Sequence, residues 1–343
     1  MGSEETVQVA ILGGRWGEAD IEQQVLRSFP VEWVSSPGTT PEEIVASAGK
    51  ASVILAGSGP RFNRAVLEQL GSCRAIIRYG IGAETIDIPA ATSLGILVAN
   101  VPDYCTEEVA THTLALILAS VRKLLPAQQA ARQGNWRVDS LKPLYSTEDQ
   151  VLGIVGFGKI GRSIARKAHA FGFEILVYDP LVSEEDFRQA GVAGVTLENL
   201  LRRSDVISLN APLTPQTRHL IDAQALRQMK PSAFLVNTSR GGLVDEGALD
   251  QALRAGRLAG AALDVLEDEP VPAGRPILDN PRALVTPHMS WYTEQALERM
   301  RRLAAEEARR VLRGEKPKNL LNPQALEPTT GESLRDASLP TSN

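Results

Sequence analysis

The feature that most constrains this 343-residue chain is a rhythm in which short apolar runs alternate with helix-like stretches, in two separate series. "VQVAILGG" is followed by "EADIEQQVLRSF", "VEWVS" by "PEEIVASAG", "SVILAG" by "NRAVLEQL", and "CRAIIRYG" by a glycine-containing turn and "GILVANV". Such runs, bounded by turn residues, predict parallel strands covered by helices on both faces. The second series begins at "VLGIVGFG" and passes through "EILVYD", "VISLN", "AFLVNTS", "GAALDV" and "ALVTPH". These make six strands, as in a full dinucleotide-binding sheet. The fold class expected is α/β, with two doubly wound parallel-sheet domains.

Between the series lies "TEEVATHTLALILASVRKLL", a long helix opened by Thr106, with Glu107 and Glu108 suiting its positive end. It is too apolar for a solvated face, so it is expected to be buried between domains or between subunits. After residue 290, "TEQALERMRRLAAEEARRVLRG" places Leu297, Met300, Ala304, Ala308 and Val311 on one face, with Glu298/Arg302 and Glu306/Arg310 as i, i+4 pairs outside. Nothing after it continues the alternation, so this helix is expected to cross back to the first series. The expected domains are residues 1–100 with 291–325, and residues 101–290; the polar tail 326–343 is expected to be disordered.

Composition narrows the partners. The formal net charge is −5 with both signs interspersed, which argues against nucleic acid or an anionic membrane surface. No apolar run approaches the length of about 20 residues of a membrane span, and "MGSEETVQVAILGG" lacks the build of a secretion signal, so the cytoplasm is the expected location. Cys73 and Cys105 have neither metal spacing nor a C-x-x-C arrangement and read as two reduced, small apolar residues.

In "VLGIVGFGKIGRSIARKAHAFG", Gly156, Gly158 and Gly161 have G-x-G-x-x-G spacing after an apolar strand and at the start of a helix. The first allows a tight turn, the second lets backbone approach a pyrophosphate, and the third permits close packing of helix on strand. The helix start offers unpaired N–H groups and positive dipole to phosphates. The next strand ends in Asp179, 18 residues beyond Gly161, near the spacing of a carboxylate that accepts the adenosine ribose hydroxyls. Asp179 would repel a 2′-phosphate and no Arg or Lys follows it until Arg188, so NAD is expected rather than NADP. The earlier "ILGGRWGEAD" lacks this spacing and reads as a turn.

Three further strands end in ionisable groups. "LVNTSRGGLVDE" carries Arg240, "AALDVLEDEP" carries Asp264 followed by Glu267, Asp268 and Glu269, and "LVTPH" carries His288. Ligands of open α/β sheets lie outside the carboxyl ends of strands, so these groups should face one cleft with the cofactor. An arginine fork can hold a carboxylate and polarise a carbonyl, an imidazolium can deliver a proton, and a carboxylate beside the ring favours its charged form. Taken singly, Arg240 could pair with an acid, Glu269 could belong to a solvated acidic loop, and His288 could fill a polar pocket. His112, His169 and His219 lack such surroundings and read as packing or surface residues.

"GFGKIG" with "YDP", "NTSRGGLVDE", "ALDVLEDEP" and "TPH" occur in the order found in the D-isomer-specific 2-hydroxyacid dehydrogenases, which the chain resembles over residues 7 to 322. "NVPDYCTEEVATHTL" and "TPHMSWYTEQA" resemble most closely the C-terminal-binding-protein branch. The resemblance implies a Rossmann-type NAD domain and a flavodoxin-like substrate domain with a cleft between them, and a homodimer formed through the NAD domain and the long helix. It implies His288 as acid/base, Glu269 as its partner, and Arg240 binding and polarising the substrate. It implies Asp264 on the nicotinamide carboxamide, and Lys159, Ile160, Ala211, Pro212, Thr217, Thr238 and Ser239, with Arg240 and His288, along the cofactor. Arg78, Tyr79, Gly80 and Trp291, with Arg240 and His288, would line the substrate. The chain departs from the pattern at Glu84 and Thr85, where relatives usually carry Asp and Asn, and at Met289 and Ser290, which replace two small residues.

The function expected is NAD-dependent reduction of a small 2-oxo acid, of glyoxylate or hydroxypyruvate type or a longer-chain analogue. 3-Phosphoglycerate oxidation is the alternative among enzymes, and an NAD(H)-sensing co-repressor is the alternative among binding proteins. A formate enzyme of this family would have Gln where Glu269 stands.

Overall fold

The structure is a computed structural model that describes residues 6–14 and 16–327. The segment expected to be disordered lies outside the described residues from residue 328 onward, whereas Leu326 closes a short 3-10 turn, Pro323–Leu326. The chain divides into two compact units at Cys105 and at Thr293, so that the C-terminal segment belongs with the N-terminal one.

The first unit is built on five parallel strands, β1 (Val7–Leu12), β2 (Val31–Ser36), β3 (Val53–Ala56), β4 (Ala75–Arg78) and β5 (Leu97–Ala99), in the order β2-β1-β3-β4-β5. All four residues of β3 are buried, as a strand covered on both faces requires. Helix Pro41–Ala48 opens with a capping box between Thr40 and Glu43. The turn expected before "GILVANV" contains a helix instead, Ile88–Ser93, whose first turn is capped by the Asp87 carboxylate accepting from the Ala90 amide at 2.9 Å. Six residues with a proline in the first turn are too few to show a helical period.

Helix Glu294–Leu312 packs on β3, β4 and helix Asp20–Val25. It brings in Arg301, 6% exposed, whose guanidinium donates to both oxygens of the fully buried Glu22 at 3.0 and 2.6 Å and to Asp20 at 2.7 Å. Tyr79 completes this cluster by donating its hydroxyl to Glu22 at 2.8 Å, with its ring against Trp16. Burial, and then the Glu22 charge, hold that phenol well above its ordinary range. The expectation that Tyr79 lines the substrate is therefore corrected for its side chain, which points into the unit's interior and is 3% exposed.

The second unit has seven parallel strands, β6 (Val151–Val155), β7 (Glu174–Tyr178), β8 (Ala193–Gly194), β9 (Val206–Leu209), β10 (Phe234–Asn237), β11 (Gly260–Leu263) and β12 (Ala283–Val285), in the order β12-β11-β10-β9-β6-β7-β8. This is one strand more than expected, because β8 is two small residues at the sheet edge and has no apolar run to reveal it. The long helix, Thr106–Val121, buries Ala110, Leu114, Leu116, Ile117 and Val121 on its own unit's sheet and on helix Lys159–His169. The helix after it, Leu124–Arg132, has no buried residue.

Among the described residues no single helix is long and apolar enough to cross a membrane, and no group of three or more His, Cys, Asp or Glu is placed to hold a metal. Cys73 and Cys105 are buried and free, and burial pushes the Cys73 thiol up to about 12.

Candidate active site

The glycine-rich turn leaves the end of β6. Gly156 has φ of 90°, and a Cβ there would lie 2.7 Å from the Asn210 backbone, so only glycine fits the bend. A Cβ on Gly161 would stand 2.3 Å from the Gly156 carbonyl oxygen, which is the close approach of helix to strand anticipated from spacing. At Gly158, the N-cap of helix Lys159–His169, a Cβ would meet nothing within 4 Å. The turn is therefore tight where it folds and open where the helix presents its first N–H groups. Asp179, just past β7, accepts the Phe157 amide at 2.7 Å on one carboxylate oxygen and the Leu181 amide at 2.9 Å on the other. These bonds fix the carboxylate beside the turn and leave it further acceptor positions. An open helix start with an oriented carboxylate next to it fits a dinucleotide that carries a free ribose diol.

The next strands deliver the ionisable groups. At the end of β10, Asn237 accepts the Ser239 amide at 3.0 Å and donates to the Arg240 carbonyl at 2.9 Å, which shapes the turn that carries Arg240. The Thr238 hydroxyl is buried against that of Thr113 at 2.7 Å, and the Ser239 hydroxyl donates to the Leu209 carbonyl at 2.8 Å. Both hydroxyls hold this turn in place. A Cβ on Gly241 would overlap the Leu266 carbonyl at 1.9 Å, so the Arg240 turn rests directly on the loop after β11.

That loop bears Glu269, whose Oε1 accepts the Leu266 amide at 3.1 Å and whose Oε2 lies 2.5 Å from His288 Nδ1. His288 follows β12 at φ of 50°, with its imidazole 45% exposed. The bond at Nδ1 fixes the ring's orientation and leaves Nε2 as the nitrogen that can serve a ligand. Asp264 holds the backbone around it. Its carboxylate, fully buried, accepts the Thr286 hydroxyl at 2.6 Å and the Met289 and Ser290 amides at 2.9 and 2.8 Å. These bonds take up three of the roughly four acceptor positions of the carboxylate.

Met289, one of the departures from the family pattern, is 42% exposed, whereas Ser290 is buried. In the first unit Arg78 closes β4, and its guanidinium donates to the carbonyls of Ala56 and Tyr79, while the Gly80 carbonyl accepts the Val101 amide at 3.0 Å. Thr85, another departure, keeps its backbone in use by accepting the Phe62 amide at 2.8 Å.

Sequence reading missed several polar groups at this sheet edge. His112 reaches Thr286 at 3.3 Å and stands 3.8 Å from Asp264, so it belongs to the support of the His288 loop. Glu246 and His219 also join this edge, and nothing in the spacing of either residue announces its partner.

Residues 114–290 match the sequence model of the D-isomer-specific 2-hydroxyacid dehydrogenase NAD-binding domain. The chain belongs to the D-isomer-specific 2-hydroxyacid dehydrogenase family. Within the family it is 40% identical over 266 residues to a glyoxylate reductase of Korarchaeum cryptofilum, covering 76% of this chain and 80% of that one. It is 38% identical over 286 residues to the D-3-phosphoglycerate dehydrogenase of Methanocaldococcus jannaschii, covering 83% of this chain and 54% of that one. The chain thus spans about half the length of that relative. Among solved structures it resembles a D-lactate dehydrogenase of Aquifex aeolicus complexed with NAD and lactic acid, with a TM-score of 0.84 and 28% identity over 92% of this chain and 99% of that one.

Proposed function

We propose that the protein is an NAD-dependent D-2-hydroxyacid dehydrogenase that works as a reductase of a small 2-oxo acid. The observation that carries this is the His288–Glu269 pair, 2.5 Å apart, at the same sheet edge as Arg240 and the dinucleotide turn. When bound, the reduced nicotinamide supplies the hydride that reaches the substrate's carbonyl carbon. Arg240 binds the substrate carboxylate and draws electron density onto the carbonyl oxygen. His288 then protonates that oxygen from Nε2, and Glu269 stabilises the charged ring until the proton leaves. Asp179 accepts the ribose hydroxyls and disfavours a 2′-phosphate. Lys159 and Ile160 at the helix start, Ala211, Pro212 and Thr217 after β9, and the backbone of Thr238 and Ser239 complete the nucleotide site. Trp291 borders the substrate side chain.

The natural partner is a second copy of the chain. Support comes from the segment after the long helix, where Leu124, Trp136, Val138 and Tyr145 are all more than half exposed, Trp136 at 86%. Neither nucleic acid nor a membrane is expected as a partner, and two free thiols suit the reducing cytoplasm. The test of this function is NADH oxidation with a panel of 2-oxo acids, with the product's configuration read by chiral chromatography. Turnover to the D-hydroxy acid, with NADPH a poor substitute, is the expected result.

A further inference from the structure

Two histidines at the carboxyl edge of the second sheet are built alike. His219 and His288 have φ of 51° and 50°, and with Lys123 they are the non-glycine residues at positive φ among those described. A side chain is strained there and glycine is not, so a histidine kept in that conformation points to a use for its ring. Each ring meets a carboxylate of the same tripeptide. His288 Nδ1 lies 2.5 Å from Glu269, and His219 Nε2 lies 2.5 Å from Glu267. Between them Asp268 accepts from Arg275 at 2.9 Å, and Arg275 also donates to the buried Glu246 at 2.7 Å. The other Glu246 oxygen accepts the Glu267 amide at 3.3 Å. The three carboxylates therefore tie one loop in three directions, and only the bond to His288 is accounted for by proton transfer.

The element that His219 ties to this loop is the segment from Asn210 to Ile221, which leaves β9 and contains Ala211, Pro212 and Thr217. Thr217 folds the segment on itself, donating its hydroxyl to the Pro212 carbonyl at 2.7 Å and accepting the Thr214 amide at 2.8 Å. Its far end is anchored by backbone bonds, the His219 amide donating to the Gly242 carbonyl at 2.8 Å and the Ile221 amide to the Leu243 carbonyl at 3.0 Å, and by the His219 ring on Glu267. Leu213 and Arg218 lie against Gly242, in the turn that begins with Arg240.

We infer that His219 and Glu267 are positioning residues. Their pair sets the nucleotide segment 210–221 against the loop that carries Glu269, so that its loss weakens nucleotide binding and also loosens the setting of the His288 proton donor. This rests on the dehydrogenase reading above. A pair that served stability alone would alter melting and leave the NADH affinity of the folded protein unchanged.

The test uses the full chain and the variants His219→Gly, His219→Asn, Glu267→Gln and His219→Gly with Glu267→Gln. Glycine and asparagine accept the left-handed backbone, so both remove the ring without adding strain. NADH dissociation constants are read by fluorescence, beside thermal melting and the separate kcat and KM for the 2-oxo acid. Each single variant is expected to weaken NADH binding about tenfold and lower kcat, and the double variant to be no worse than the singles, because all three lose the same contact. His219→Gly should show this loss while melting no lower than wild type. An unchanged NADH affinity in His219→Gly, or additive losses in the double variant, would overturn the inference alone. Failure of the wild-type protein to bind NADH would overturn the dehydrogenase reading and the inference with it.

Discussion

At Asp264 one buried carboxylate holds three groups of the His288 loop, and that arrangement makes a demand no amide can meet. Asp264→Asn has the right shape, but its NH2 group would face the Met289 or Ser290 N–H. We expect this variant to lose about 1–3 kcal/mol in urea unfolding, the cost of a buried hydrogen bond broken on one side. Its kcat should fall as well, because the imidazole is no longer held in place. Glu269→Gln keeps a hydrogen-bonding group on Nδ1 and removes the negative charge beside the ring. A kcat lower by about 10²-fold with NADH affinity retained is the expected outcome in steady-state assays paired with nucleotide titration. Arg240, Glu269 and His288 could be picked from the sequence because each ends or follows a strand. His219 with Glu267 and Thr113 with Thr238 could not, since each pair is distant in sequence and is joined only by the order of the strands.

Elements are held to one another by charges whose worth depends on burial. Glu107, in the first turn of the long helix, meets Lys167 at 2.6 Å and Arg166 at 2.8 Å on helix Lys159–His169. The Lys167 ammonium first, then the Ser163 hydroxyl and Arg166, hold its carboxyl down at about 2, against 4.5 for the free group. A carboxyl depressed on folding contributes stability above its unfolded value and loses it as pH falls through the folded one. The stability gap between wild type and Glu107→Gln should therefore be constant near neutrality and shrink between about pH 4.5 and pH 2, as read from urea midpoints at several pH values. The gap should be small throughout, because the Glu107 side chain is 54% exposed and water screens the pair. Arg301 is the opposite case. Arg301→Met removes the cation that partners the buried Glu22 carboxyl, and a loss of about 3–5 kcal/mol is expected in the same experiment.

Over the whole molecule, the alternation of strands and helices made both parallel sheets legible, including the order of events along the chain. The exceptions are instructive. β8 and helix Ile88–Ser93 are too short to carry a period, and their existence is decided by the sheet edge and the Asp87 cap. The burial of the long helix was legible from its composition, but its partner was not, because apolarity does not say which surface covers it. The apolar segment around Trp136 belongs to this scale as well. Trp136→Ser is expected to weaken self-association, seen as a lower mass by light scattering at low concentration, with the helical signal unchanged. The central claim is that His288 delivers the proton to a 2-oxo acid in an NADH-dependent reduction. The most direct measurement is NADH oxidation by wild type and His288→Ala with the best 2-oxo acid of the panel, after each is shown to bind NADH. The account predicts wild-type turnover and a kcat at least about 10²-fold lower in the variant, with NADH affinity preserved. NADH binding without turnover of any 2-oxo acid by the wild-type protein, or undiminished turnover in His288→Ala, would contradict it.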